Sequence, residues 1–104
     1  MKLTGKLKAE FEEWLSNDFI GSKDHETDCY IYNNITEFPL SMQFALLCDF
    51  LEGKGYFIDM STQYGGGFVI DFLDKEMTYL SEHSGTTKQE AIEKAIEYLN
   101  ENYE

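Results

Sequence analysis

The stretch that decides the fold is Phe38-Pro-Leu-Ser-Met-Gln-Phe-Ala-Leu-Leu-Cys-Asp-Phe-Leu-Glu-Gly-Lys-Gly55. From residue 40 to residue 51 its only polar residues are Ser41, Gln43 and Asp49. A helix that is apolar around most of its circumference must be covered on more than one side. Pro39 suits the first turn of such a helix, and the glycines at its end supply left-handed geometry. The stretch therefore predicts a central helix against which the other elements pack.

Two further helices are predicted, one on each side of this stretch in the chain. The first runs from Thr4 to Asn17, and its apolar residues recur at three- and four-residue spacing. The last begins at Thr87-Lys-Gln-Glu90, a capping box in which the Thr oxygen accepts a free helix N–H and the Glu carboxylate reaches back. The apolar stripe of this last helix consists of Ala91, Ile92, Ala95, Ile96 and Leu99, and the helix frays near Asn102.

Between the central helix and the last one, the apolar period changes to two, which is typical of β-strands. Tyr56–Ser61 and Gly67–Leu73 are predicted strands, and the glycine-rich segment Thr62–Gly66 is the predicted hairpin connection. A third strand is predicted over Glu76–Ser81, followed by a loop over Glu82–Thr86. This order predicts one α+β domain over residues 1–104, with helices packed on an antiparallel sheet.

The composition narrows the classes of function. The chain has 104 residues, eight Lys, no Arg, twenty acidic residues and a net charge of −12. Because Arg is the preferred residue for phosphate and guanine contacts, direct nucleic-acid binding is not expected, and an anionic membrane would repel the chain. The N-terminus lacks the apolar core of a signal peptide, so a cytoplasmic protein is predicted. The charge either keeps the protein soluble or attracts a basic partner.

Two acidic residues are candidates for a site in the predicted sheet. If the hairpin folds symmetrically about Gly65, Asp59 and Asp71 lie directly opposite each other on neighbouring strands. Like charges in that position are unfavourable unless something offsets them, and a divalent metal or a shared proton would do so. The hypothesis is a metal-dependent hydrolase with His83 nearby, and the alternative is a solvated polar face.

Other residue types that could carry chemistry do not form a recognisable pattern. His25, Cys29, Cys48 and His83 are ligand types for zinc, yet only the first two are close in sequence. A structural zinc site normally shows closely spaced pairs, and Cys48 is expected to be a small buried residue within the central helix. No cofactor is predicted and no catalytic signature is present in the sequence, so the chain is interpreted as a non-enzymatic protein, with the Asp59 and Asp71 metal site as the alternative.

The tyrosines are the candidates for protein binding. Six tyrosines are hard to bury together because each hydroxyl requires a partner, namely Tyr30, Tyr32, Tyr64, Tyr79, Tyr98 and Tyr103. Tyrosine is common in interfaces for that reason, and the predicted binding residues are Tyr30, Tyr32, Tyr64 and Tyr79. The first two belong to Cys29–Tyr32, which is predicted to be a short strand or an extended segment. The alternative is that these tyrosines form the rim of a small core.

Two family resemblances follow from particular stretches. Phe38 to Phe50, together with Phe11-Glu-Glu-Trp14, resembles small uncharacterised proteins carried by bacterial genomes and prophages, which implies an accessory protein of a mobile element. Gly66-Gly-Phe-Val-Ile-Asp-Phe-Leu-Asp74, followed by Gly85-Thr-Thr-Lys-Gln-Glu-Ala-Ile92, is similar to HicB-type antitoxins. The Pro-Asp-x-Pro-Gly turn of that family is absent after Phe72, and the two N-terminal helices are additional.

These observations predict an acidic domain that binds a basic protein, with tyrosines as anchors and the negative charge steering association. An antitoxin or a nucleic-acid mimic would be one specific form of it. The other predicted classes are the metal-dependent hydrolase and a structural homo-oligomer that uses its aromatic face on a second copy.

Overall fold

The computed structural model describes residues 1–16 and 34–103 of the chain. In this part there are three α-helices, namely α1 (Gly5–Trp14), α2 (Leu40–Gly53) and α3 (Lys88–Asn102). The strands are β1 (Phe57–Gln63), β2 (Gly67–Leu73) and β3 (Tyr79–Gly85), and a single 3-10 turn over Ile35–Glu37 precedes α2. The predicted α+β order is confirmed. The extended segment predicted over residues 29–32 lies outside the described residues.

The three strands form one antiparallel sheet in the order β1-β2-β3. Because successive side chains of a strand point to opposite faces, the sheet divides its residues into two sets. One set, which we call the covered face, is the side on which the helices pack and comprises Ile58, Met60, Thr62, Phe68, Ile70, Phe72, Ser81 and His83, of which Met60 and Thr62 on β1 remain exposed. The other set, the open face, comprises Phe57, Asp59, Ser61, Gln63, Val69, Asp71, Leu73, Tyr79, Glu82 and Ser84.

Although α3 rather than α2 packs on β2 and β3, helix α2 is covered on more than one side, as predicted. It contacts α1, α3 and β1, and Leu47 and Leu51 are completely buried between these elements. Its helical hydrogen bonding begins directly after Pro39, whose carbonyl accepts the N–H groups of Met42 and Gln43. Cys48 is 6% exposed, which agrees with the expectation of a buried residue.

Helix α3 covers strands β2 and β3 with the apolar stripe that the sequence predicted. The N–H of Glu90 donates to the Thr87 hydroxyl at 3.1 Å, so half of the predicted capping box is present. The Glu90 carboxylate instead accepts from the Thr86 hydroxyl at 2.9 Å. Gly85 allows the close approach of this helix, because a Cβ there would lie 2.8 Å from the Ala91 nitrogen.

The predicted third strand, Glu76–Ser81, begins and ends earlier in the chain than β3, which spans Tyr79–Gly85. The predicted loop over Glu82–Thr86 is therefore wrong for every residue except Thr86. The Asp74 carboxylate accepts the N–H groups of Glu76 and Thr78 at 2.9 Å, so the turn extends further than the sequence indicated. Pairing with β2 then continues as far as Gly85 opposite Phe68. The segment Ser81–Ser84 is polar and has no apolar alternation, so only its partner strand reveals it as a strand.

The loop of the β1–β2 hairpin is shorter than the predicted Thr62–Gly66. Strand β1 continues to Gln63, which pairs with Gly67, and the connection is reduced to Tyr64–Gly66. Gly65 and Gly66 have φ angles of 95° and 98°, which only glycine adopts readily. Strand β2 has the bounds that the sequence predicted.

Candidate protein-binding face of the sheet

Three carboxylates lie in one row across the open face. Asp59 of β1 is paired with Asp71 of β2, and Asp71 is paired on its other side with Glu82 of β3. The predicted opposition of the two aspartates is therefore confirmed. Sequence reasoning missed Glu82 because it fell in a predicted loop, and only the β2–β3 register places it in the row.

This row has no positive partner among the described residues. The ion pairs in residues 1–16 and 34–103 join Lys6 and Lys54 to Glu10, and Lys94 to Glu90, all of them away from the open face. The Oδ1 atom of Asp71 is buried and accepts no hydrogen bond from any described residue. A buried polar atom without a partner costs about 1–3 kcal/mol, so this oxygen favours any donor that can reach it.

A row of apolar residues borders the acidic row. Phe57 pairs with Leu73, and Leu73 pairs with Tyr79 on its other side. The side chains of Phe57 and Tyr79 are 43% and 57% exposed, although large apolar side chains usually lie inside. Partial burial, together with the negative charges of Glu82 and Asp71, raises the pKa of the Tyr79 hydroxyl above its ordinary value. The open face thus combines negative charge with exposed aromatic surface.

Of the four predicted tyrosine sites, the two within the described residues are not brought together. Tyr64 is fully exposed at the tip of the β1–β2 hairpin, whereas Tyr79 lies at the opposite end of the sheet, beside Leu73. Tyr30 and Tyr32 lie outside the described residues. The aromatic neighbour of Tyr79 across the sheet is Phe57, which sequence reasoning did not select because it reads as an ordinary strand residue.

Of the four zinc ligand types, the two within the described residues lie on different elements. Cys48 is buried in α2, and this burial raises the pKa of its thiol to about 12. His83 lies on the covered face of β3, and His25 and Cys29 fall outside the described residues. Within residues 1–16 and 34–103, no three His, Cys, Asp or Glu side chains are grouped so as to hold a metal ion. Asp59 and Asp71 are paired across β1 and β2, and the metal hypothesis for these two residues stays a prediction.

His83 and Ser81 are the one pair of residues in the described sheet that resembles the base and nucleophile of a catalytic site. Its Nε2 atom lies 3.0 Å from the Ser81 hydroxyl, and its ring packs 4.8 Å from Tyr98 and 5.5 Å from Phe72. Burial lowers the pKa of His83, while the negative charges of Asp71 and Glu82 oppose that shift. A nucleophile–base pair also needs a third group to orient the base, and the described residues supply no hydrogen bond to Nδ1. We interpret this pair as part of the packing under α3.

A second polar cluster ties the two ends of the described chain together. The Tyr103 hydroxyl donates to the Glu10 carboxylate at 2.9 Å, and Lys54 lies 3.5 Å from the same group. The hydrogen bond and the two nearby lysines lower the pKa of Glu10, while burial and the Glu10 contact raise that of Tyr103. These contacts hold the end of α3 against α1 and thereby close the core.

Two searches bear on the class of protein. No helix within the described residues combines the length and the apolar character needed to cross a bilayer. No protein-family model, curated protein or solved structure matches this chain. The resemblances to prophage proteins and to HicB-type antitoxins therefore stay predictions.

Proposed function

We propose that this protein is an acidic, non-enzymatic binding domain that recognises a basic protein partner through the open face of its sheet. The observation that supports this most directly is the row formed by Asp59, Asp71 and Glu82, which has no cationic partner among the described residues. The function predicted from composition thereby gains a definite surface.

The acidic row suits a cationic side chain for two reasons. Like charges directly opposite each other on neighbouring strands destabilise a sheet, and an approaching cation reverses that interaction. Lys and Arg side chains also bring N–H donors, whose hydrogen bonds the carboxylates of the exposed residues Asp59 and Glu82 can accept. Hydrogen bonds between such donors and carboxylates are stronger than those between neutral groups.

The adjoining aromatic row supplies the apolar contact that a protein interface requires. Phe57 and Tyr79 are half-exposed, and aromatic residues are enriched among the side chains that dominate binding energy. A basic side chain lying over either ring would gain a cation–π interaction as well. The net charge of −12 would speed the encounter with a basic protein at low salt.

The test compares two variants that remove the same number of charges. One is the open-face variant Asp59→Asn, Asp71→Asn, Glu82→Gln. The control variant is Glu93→Gln, Glu97→Gln, Glu101→Gln, which neutralises a row of exposed carboxylates on α3. Circular dichroism and thermal melting establish first that both variants fold as the unmodified protein does.

Tagged forms of the three proteins are then used to capture partners from a lysate of the native host at low and high salt. We expect a basic protein that is retained by the unmodified and control forms, released by high salt and lost from the open-face variant. Equal capture by all three forms, or no specific capture by any, would contradict the proposal. The antitoxin or mobile-element setting is a finer proposal, which the identity of the captured protein would test.

The two other predicted classes have separate tests. A metal-dependent hydrolase using Asp59 and Asp71 would show a marked rise in melting temperature with millimolar calcium or manganese. A structural homo-oligomer would give dimers in sedimentation experiments that do not depend on salt. The exposed side chains of Phe57 and Met60 on β1 are the surface that such a homo-oligomer would use.

A further inference from the structure

Within residues 1–16 and 34–103, strand β1 has no partner strand on its outer edge. It is at the margin of the sheet and pairs only with β2 among the described elements. Six of its seven residues are exposed, the exception being the half-buried Ile58. In an antiparallel strand, alternate residues direct their N–H and C=O groups away from the paired neighbour. The outer side of β1 therefore carries a row of backbone donors and acceptors that face solvent.

The other margin of the sheet is protected, and β1 is not. Strand β3 has a register irregularity where it begins to pair with β2, and the Lys94 ammonium donates to the Ser84 carbonyl at 3.0 Å. Natural proteins use bulges, lysines and prolines to block strand addition at such margins. Strand β1 is Phe-Ile-Asp-Met-Ser-Thr-Gln and has none of these devices. It also exposes Phe57 on one face of the sheet and Met60 on the other, by 43% and 44%.

We propose that β1 accepts an extended basic segment of the partner protein as a fourth strand of the sheet. This inference rests on the proposed function and names the form in which the partner binds. Backbone hydrogen bonds to the outer side of β1 supply affinity, and alternate side chains supply specificity. The bound residue opposite Asp59 lies on the open face, where a Lys or Arg extends the acidic row with an opposite charge.

The side-chain alternation of β1 defines the sequence of this segment. Residues of the segment that share the open face adjoin Phe57, Asp59 and Ser61, so basic side chains fit there. Residues at the intervening positions adjoin Ile58 and Met60 at the margin of the core, so apolar side chains fit there. The partner segment is thus about seven residues long, with basic and apolar side chains in alternation.

The charge of the chain favours this occupant over a second copy of the protein. Two chains that each carry a net charge of −12 repel each other. Pairing of β1 with the β1 strand of a second copy would also place two Asp59 carboxylates in the same interface. A basic segment is attracted by the same charges. Self-association through β1 is therefore an outcome that would overturn the inference.

The experiment uses the full chain and the peptide Lys-Ile-Lys-Val-Lys-Ile-Lys with blocked ends. Two further peptides carry N-methyl groups on alternate residues. In one of them the methylated nitrogens lie on one edge of the extended backbone, and in the other they lie on the opposite edge. A fourth peptide has the same composition in blocks, Lys-Lys-Lys-Lys-Ile-Ile-Val. Dissociation constants are measured by fluorescence anisotropy, and amide exchange of β1 is followed by NMR.

Strand addition uses only one backbone edge of the peptide. We expect one N-methylated peptide to bind about tenfold or more weakly, because several hydrogen bonds are lost, and the other to bind as the parent does. The block peptide should also bind more weakly, and alternate amides of β1 should become protected in the parent complex.

The failure of this inference is distinguishable from the failure of the proposed function. If both N-methylated peptides bind like the parent while the open-face variant loses binding, the segment docks on the face without joining the sheet, and only strand addition is overturned. If the open-face variant binds all peptides as well as the unmodified protein does, both proposals are overturned. A third outcome is a dimer that does not depend on salt and whose β1 amides lose protection from exchange on dilution. It would show that the occupant of β1 is a second copy of the chain and would overturn the inference.

Discussion

The covered and open faces of the sheet are made by the same three strands, yet they differ in almost every physical respect. On the covered face of β2, Ile70 and Phe72 are completely buried beneath the helices. Asp71, the residue between them, points to the open face and belongs to the row of carboxylates. No lysine among the described residues forms an ion pair with this row. The difference teaches that apolar burial under the helices is concentrated on the covered face, whereas the carboxylates of the sheet are gathered on the open face.

The largest expected effect comes from breaking the covered face. Phe72 is completely buried, and its ring stacks on Tyr98 at 5.8 Å. Replacing Phe72 with Ala should lower the free energy of unfolding by about 3–5 kcal/mol, because it removes apolar contacts and leaves a cavity. Urea unfolding followed by circular dichroism measures this change.

The matched change on the open face is Tyr79→Ala. Because Tyr79 is 57% exposed, its loss should alter the free energy of unfolding by no more than about 0.5 kcal/mol. If Phe72→Ala fails to fold, Phe72→Leu gives a smaller loss that is still measurable. Similar losses for the two positions would show that the two faces do not differ in their structural roles.

The next effect tests how closely α3 lies on the sheet. An alanine at position 85 would place its Cβ 2.8 Å from the Ala91 nitrogen and the Glu90 Cβ. Gly85→Ala should therefore lower the free energy of unfolding by about 1–3 kcal/mol, as overpacking does elsewhere.

The control for this substitution is Gly53→Ala at the end of α2, where no heavy atom lies within 4 Å of an added Cβ. Since alanine is the better helix former, this change should be neutral or raise the free energy of unfolding by about 0.5–1 kcal/mol. Thermal and urea unfolding of the two variants give the comparison. A Gly85→Ala protein as stable as the unmodified one would mean that α3 can move away freely.

A smaller effect of opposite sign is expected on the open face. Asp59→Asn removes one of the like charges opposed across β1 and β2, so it should raise the free energy of unfolding by about 0.2–1 kcal/mol at low salt. The gain should shrink as salt is added, because exposed charges are screened. Glu76→Gln in the exposed β2–β3 turn is the control and should change stability less. A loss of stability in Asp59→Asn would indicate that the acidic row is already compensated.

The smallest effect concerns pH and the covered face. Burial lowers the pKa of His83, so the folded protein binds a proton at this site less readily than the unfolded chain does. Stability from neutral His83 is fully present above the ordinary pKa of 6.5 and is lost as pH falls from there through the lower folded pKa. Titration of the His83 Cε1–H signal by NMR gives the pKa directly.

His83→Gln serves as the variant for this test, because glutamine does not titrate. Its free energy of unfolding should vary less with pH than that of the unmodified protein between pH 7.5 and 5.5. A folded pKa of His83 above 6.5 would reverse the predicted slope and would show that the charges of Asp71 and Glu82 outweigh burial.

Local sequence patterns determined much of this protein. The apolar stretch after Pro39, the Thr87 cap and the period-two segments around Gly65 each specify their own element, because hydrophobic periodicity and turn chemistry act over neighbouring residues. A hairpin that is symmetric about Gly65 also places Asp59 opposite Asp71, so the sequence was sufficient to predict this pair.

Only the tertiary structure decided where the third strand pairs and, with it, the full acidic row. Ser81–Ser84 carries no strand pattern of its own, since its pairing depends on β2 and on the turn held by Asp74. Glu82 therefore joined the candidate site only when the strands were aligned. The free edge of β1 is likewise a property of the assembled sheet, because no local pattern records which strand lies at the margin.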